Sequence, residues 1–206
     1  MATGHTYCNF SERRYFEVVP GQTGVAMKTT KASLAGVLIL EPRVFGDERG
    51  FFLESYSQRT MAEAGIHERF VQDNHSFSGR NVVRGLHYQL QHAQGKLVRV
   101  VAGEILDVAV DLRRRSSTFG RWEAVRLSGE NKLMLWIPVG FAHGFRVVSN
   151  GAHVLYKATD FYFPEFEHTL AWNDPDLKID WQLEGEPIIS GKDRVGVPFS
   201  QAKVYE

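Results

Sequence analysis

Two histidines in this chain lie in segments whose neighbours could do proton chemistry. His87 stands in Arg84-Gly85-Leu86-His87, inside a run of strand character from Val82 to Gln89. An imidazole titrates near neutrality, which makes it a natural general base. Arg84 and His87 have opposite parity, so a regular strand would send them to opposite faces. Gly85 is the place where a bulge could re-aim one of them. His143 stands in Pro138-Val-Gly140-Phe-Ala-His143-Gly144-Phe145, Tyr156 beside Lys157, and Asp193 beside Lys192. Together these are the groups of general acid–base chemistry. Taken singly, each has a plainer reading. A lone strand histidine is by default a satisfied core residue, and the other four are by spacing alone rim or surface residues.

Other chemistries lose ground by absence. No G-x-x-x-x-G-K-[ST] loop is present, since Gly95-Lys96 lacks the first glycine and the hydroxyl residue. There is no G-x-G-x-x-G, no G-x-S-x-G and no H-E-x-x-H. Pro138-x-Gly140-x-x-His143 resembles one of the two cupin motifs. In metal-binding cupins the other motif supplies His-x-His and a glutamate. Here that place reads His87-Tyr88-Gln89, so a ligand is missing and no metal is expected. The single Cys8 excludes an internal disulfide and any cysteine-based cluster within one chain.

These residues need a scaffold, and the composition supplies one. The chain has 206 residues, 43% hydrophobic and 23% charged, enough for one domain with a real core. Lys plus Arg and Asp plus Glu are 24 each, so the net charge is zero and no general nucleic-acid binder is indicated. The longest apolar run, Leu133 to Ala142, is broken by Pro138 and Gly140 and falls short of a membrane span of roughly 20 residues. The first residues lack the apolar core of a signal peptide, so a cytoplasmic setting is expected. Residues 1–34 are polar and aperiodic and read as an extension or arm; residues 35–206 read as a single domain. A strand is expected at Gly36–Leu40, and one convincing helix from an N-cap at Ser57 to Gly65. Further strands are expected at Phe70–Asn74, Val82–Gln89, Lys96–Val101, Glu104–Leu112, Trp122–Leu127, Lys132–Ile137, His143–Val148 and His153–Thr159, with a short one at Ile179–Trp181. Turn signals separate them, at a spacing that argues for an antiparallel sandwich or small barrel. Glu104–Asp111 mixes acidic and apolar residues, as a partly polar interior would.

Several segments together resemble dTDP-4-dehydrorhamnose 3,5-epimerases. They are Phe45-Gly46-Asp47-Glu48-Arg49-Gly50-Phe51-Phe52, Val71-Gln72-Asp73-Asn74-His75-Ser76, Arg84–His87, Gln94–Arg99, Pro138–Phe145, Tyr156–Thr159 and Ser190–Asp193. The resemblance spans residues 36 to about 198. It implies an all-β, cupin-type jelly-roll barrel or sandwich with one or a few short helices. It also implies a homodimer, no metal and no cofactor, and a dTDP-4-dehydro-6-deoxyhexose substrate inverted at carbons 3 and 5. The base falls on His87, its partner on Asp193, the opposite-face acid on Tyr156 and the oxyanion stabiliser on Lys96. Substrate contacts fall on Arg49, Glu54, Gln72, Asp73, Asn74, Arg84, Lys96, His143, Glu167 and Lys192, with Tyr162 stacking on thymine. Tyr88 departs from the family's usual phenylalanine. Relatives that invert only carbon 3 or only carbon 5 share the base, and they remain an alternative reading. A metal-dependent cupin oxygenase or a non-catalytic sugar-nucleotide binder is a more distant one.

Overall fold

The computed structural model describes residues 27–206. Its elements in chain order are β1 (Met27–Lys31), β2 (Leu38–Pro42), β3 (Val44–Asp47), β4 (Gly50–Leu53), α1 (Gln58–Glu63), β5 (Gln72–Gly79), β6 (Val82–Gln89), β7 (Lys96–Ala102) and β8 (Glu104–Asp111). Then follow β9 (Trp122–Ser128), β10 (Met134–Ile137), β11 (Phe141–Val147), β12 (Gly151–Ala158), β13 (Glu167–Thr169), β14 (Ile188–Ile189) and α2 (Gly191–Arg194).

Alternation along the strands builds two stacked sheets. One runs β1-β2-β10-β7-β12-β5; the other runs β13-β6-β11-β8-β9, with β14 beside β6. Val98, Val100, Leu135, Ile137, Ala152 and Val154 of the first sheet face Ile105, Ala109, Phe145 and Val147 of the second across the interior. The intervening residues face outward on each side. Leu97, Met134 and Trp136 pack under α1 and the turn after it through Met61 and Ile66. Leu86, Tyr88, Leu106, Val108 and Val110 pack under the C-terminal segment through Leu170, Leu177 and Trp181. A period of two, with both faces covered, gives this jelly-roll sandwich with one short helix on one side.

The strands expected between Val82 and Thr159 are all present, with ends shifted by at most two residues, whereas the short strand expected at Ile179–Trp181 is irregular chain whose Trp181 ring is anchored to the Trp172 carbonyl instead. β5 begins two residues after the expected Phe70 and runs five past Asn74. The expected arm meets the described residues only at 27–34. There Met27–Lys31 pairs with β2 and Leu34 is buried in the core, while residues 1–26 lie outside the described residues. Ser57 does occupy the N-cap of α1 but makes no side-chain cap bond. The hairpin β3–β4 and helix α2 were not signalled by periodicity, because each is only four residues per element. Among the described residues, no helix is long and apolar enough to cross a membrane.

Candidate active site

The polar groups gather inside the sandwich, at the end where its lining changes from aliphatic to charged. On β6 the change depends on Gly85. Before it, Val82 packs against the interior core and Val83 against the outer one; after it, Leu86 and Tyr88 turn to the outer core. The pairing of β6 with β11 shifts register at this point. Arg84 and His87 therefore share the interior side despite their opposite parity. A Cβ on Gly85 would stand 2.5 Å from Gly144 Cα and 2.7 Å from the His143 carbonyl, and its φ is +114°. Only glycine fits that close approach.

His87 Nε2 lies 2.5 Å from Asp193 Oδ1. Asp193 arrives on α2, whose N-cap Ser190 accepts from the Asp193 amide at 3.1 Å. The Gly85 amide donates to its second oxygen at 3.4 Å. Burial alone would raise the Asp193 carboxyl, but the bonds from His87, Ser190 and Gly85 hold it below the usual carboxylate range. An ionised carboxylate only accepts, so the imidazole proton sits on Nε2 and Nδ1 carries the lone pair.

Around this pair stand the other groups. Lys96 opens β7 on the same side as Val98 and Val100; burial lowers its ammonium to about 8, opposed by the charges of Glu167 and Asp107. Tyr156 on β12 faces Asn74 in register, and burial, then the Glu167 charge, raise its hydroxyl while Arg84 opposes. Glu167 on β13 accepts from the Tyr162 hydroxyl at 2.7 Å and bonds Lys192. Burial would raise the Glu167 carboxyl, yet Lys192, Tyr162 and His87 hold it low. The Glu167 bond, then burial, push the Tyr162 phenol up to about 12. A cleft of about 470 Å³ opens beside Tyr162, Glu167, Thr169 and Lys192, and Thr169 pairs with His87 in register.

Of the residues singled out in the sequence, His87, Asp193, Lys96, Tyr156, Asn74, Arg84, His143, Glu167, Tyr162 and Lys192 belong to this end of the sandwich. Gln72 reaches it too, but its amide is engaged: it donates to Asn74 Oδ1 and accepts from the Tyr162 main chain, each at 3.0 Å. Asp73, of opposite parity, points outward and pairs with Lys157 at 2.9 Å. Arg49 lies at the exposed tip of the β3–β4 hairpin beside Asp47, and Glu54 accepts from Thr60 at 2.6 Å. Neither is placed in the interior. Sequence reasoning missed Asp107, which lies fully buried 2.9 Å from His143 Nε2. The acidic residues within an otherwise apolar β8 were its signal. It also missed Ser76, whose hydroxyl, like the Asn74 amide nitrogen, is buried without a hydrogen-bond partner among the described residues. Tyr88 explains its own departure: its hydroxyl donates to the Lys203 carbonyl at 2.7 Å, so the added polar atom is satisfied. No group of three or more His, Cys, Asp or Glu forms a ligand set among the described residues.

Known proteins share this arrangement's sequence and fold. The family model described as dTDP-4-dehydrorhamnose 3,5-epimerase matches residues 31–201. A dTDP-4-dehydrorhamnose 3,5-epimerase from Pseudomonas aeruginosa is 59% identical over 180 residues, covering 87% of this chain and 99% of that protein. One from Salmonella typhimurium is 53% identical over 182 residues, 87% of this chain and 100% of that protein. The crystal structure of a dTDP-6-deoxy-D-glucose-3,5-epimerase from Legionella pneumophila, in complex with dTDP-4-keto-L-rhamnose, superposes with a TM-score of 0.83 at 50% identity. It covers 86% of this chain and 95% of that one. The cupin-type sandwich, the acid–base groups within it and these similarities lead to one conclusion: the chain belongs to the dTDP-4-dehydrorhamnose 3,5-epimerase family.

Proposed function

We propose that this chain converts dTDP-4-dehydro-6-deoxy-D-glucose to dTDP-4-dehydro-L-rhamnose by inverting carbons 3 and 5. The observation that carries the reading is the His87–Asp193 pair at 2.5 Å, inside the same cavity end as Lys96 and Tyr156. The ketone at carbon 4 acidifies the protons on both neighbouring carbons. His87 removes one through Nδ1, and Asp193 stabilises the imidazolium that forms. The electron pair moves to the carbon 4 oxygen. Lys96, still an ammonium at neutral pH, stabilises that oxyanion. Tyr156, whose raised hydroxyl keeps its proton at neutral pH, returns one to the opposite face. Once His87 releases its proton to solvent and Tyr156 takes one back, the same cycle at the second carbon completes the product.

Binding uses charge outside the reacting centre. Arg84 and Lys192 supply cations for the diphosphate, and the exposed ring of Tyr162 offers a flat face for the thymine. Asn74 Nδ2 and Ser76 Oγ, buried and unpaired on the interior side of β5, are polar atoms that a sugar hydroxyl would satisfy. The chain acts as a homodimer in this reading. Its support is the β3–β4 hairpin, a lone two-stranded sheet with Phe45 48% and Phe51 62% exposed, which is marginal unless covered. A neighbour's barrel would cover it and would bring Arg49 to nucleotide.

The test is NMR of dTDP-4-dehydro-6-deoxy-D-glucose in deuterated water with chelator-treated protein. Deuterium at carbons 3 and 5, lost with His87→Ala, supports the double epimerase. Deuterium at one carbon reduces it to a mono-epimerase. No exchange by folded protein overturns the reading.

A further inference from the structure

The segment that carries Tyr162 has no ladder of its own. Between the end of β12 and the short turn at Pro164–Phe166, residues 161–163 adopt no regular structure. Side-chain amides take the ladder's place. Gln94 donates to the Asp160 carbonyl at 2.8 Å, and Gln72 accepts from the Tyr162 amide at 3.0 Å. Gln89 does most. Its Nε2 donates to the Phe161 carbonyl at 3.2 Å and to the His92 carbonyl at 2.7 Å, and its Oε1 accepts from the Phe163 amide at 2.9 Å. One amide thus grips the main chain on both sides of residue 162. Gln89 is only 3% exposed, and both its donors and its acceptor are used.

Its backbone is tied to the same structure. Gln89 pairs in register with Glu167, and Glu167 holds the Tyr162 hydroxyl at 2.7 Å. The Tyr205 hydroxyl donates to the Gln89 carbonyl at 2.6 Å. Tyr162 is therefore fixed at its main chain and at the tip of its ring, while 46% of the residue stays exposed. A large aromatic that is both exposed and held at two ends is arranged to receive something flat. Holding it in place before binding removes an ordering cost that the ligand would otherwise bear.

We propose that Gln89 is a positioning residue for nucleotide binding, setting the Tyr162 ring that stacks on the base. This rests on the stacking role given to Tyr162 above. Gln89 itself touches no substrate. A merely structural role would instead reduce the amount or turnover of active protein and leave nucleotide affinity alone.

The experiment measures dTDP affinity by calorimetry and steady-state kinetics with the dTDP-sugar, on the full chain. Gln89→Met keeps the length and removes every amide bond. Gln89→Glu keeps the acceptor for Phe163 and loses both donors, and it serves where Gln89→Met does not fold. Either folded variant is expected to weaken dTDP and raise KM about fivefold to tenfold, with kcat within twofold of wild type. Tyr162→Ala is expected to weaken dTDP by tenfold or more, the lower part of the range for base–aromatic stacking. Adding either Gln89 change to Tyr162→Ala is expected to cause no further loss. Wild-type dTDP affinity in a folded Gln89 variant, a fall confined to kcat, or an equal loss in the Tyr162→Ala background would each overturn the proposal. Wild-type affinity in Tyr162→Ala alone would instead overturn the stacking role, whatever the Gln89 variants do.

Discussion

Replacing Asp193 by Asn tests the base most directly, because it removes a charge while keeping the shape. The carboxylate is 3% exposed and sits 2.5 Å from His87 Nε2. During proton abstraction the imidazole becomes a cation about 4 Å from the carboxylate centre. At an effective dielectric of about 20 that attraction is worth about 4 kcal/mol. The His87 side chain is 26% exposed, so solvent screens part of it, and about 2–3 kcal/mol is a fair share. Asn can still accept from Nε2–H through its oxygen, so the ring orientation survives. The charge term is absent before the carbon is deprotonated and present only in the transition state. The expected result is therefore a fall in kcat of about 30- to 150-fold with KM little changed. In the proposed cycle both carbons use one base, so deuterium incorporation should slow equally at carbons 3 and 5. The assay is the rate of exchange in deuterated water, with circular dichroism to confirm folding. A folded Asp193→Asn protein within threefold of wild-type kcat, or one altered only in KM, would refute the reasoning.

Three more outcomes follow from the same structure. Burial lowers Lys96 to about 8, so its charge is present below that pH and lost above it; activity should decline on the alkaline side with a midpoint near 8, Lys96→Met should lose about 10²–10³ in kcat, and an alkaline limb unchanged in that variant would contradict the assignment. Tyr156→Phe should slow product formation while solvent still exchanges the substrate's own proton, and equal slowing of both would point to a different acid. Asp111 is buried, and although burial raises its carboxyl, bonds from Arg113, Ser116 and Thr118 lower it from 3.8 to about 2. That difference contributes about 2 kcal/mol, present above pH 3.8 and lost as pH falls through about 2. Asp111→Asn should lower Tm by about 4–8 °C at neutral pH, and thermal melts from pH 2 to 7 that match the wild-type slope would sink this account.

The layout of the sandwich was legible because period-two alternation is a local property. Lys96, Val98 and Val100 share one face and Leu97 the other by sequence alone, and the interior side of Tyr156 follows in the same way. The motifs around His87, His143 and Asp193 carried the family resemblance without any knowledge of their contacts. What alternation could not decide was side after an irregularity. Gly85 marked a possible bulge, but only the close approach of Gly144 shows that Arg84 and His87 end on one side. Parity did separate Asp73 from Gln72 and Asn74, yet the resemblance grouped all three.

Long-range contacts belong to tertiary structure alone. Asp193 meets His87 across 106 residues, and Asp107 meets His143 across 36. Gln89 reaches the main chain of Phe163 across 74. No local pattern encodes which side chain will stand opposite another once two sheets and a four-residue helix close together. The residue types, their order and the faces of regular strands are determined by the sequence itself, because each depends only on near neighbours. Which groups share a proton, which are desolvated and which ring is held ready for a base are decided by packing, because burial and distance exist only after the chain has folded.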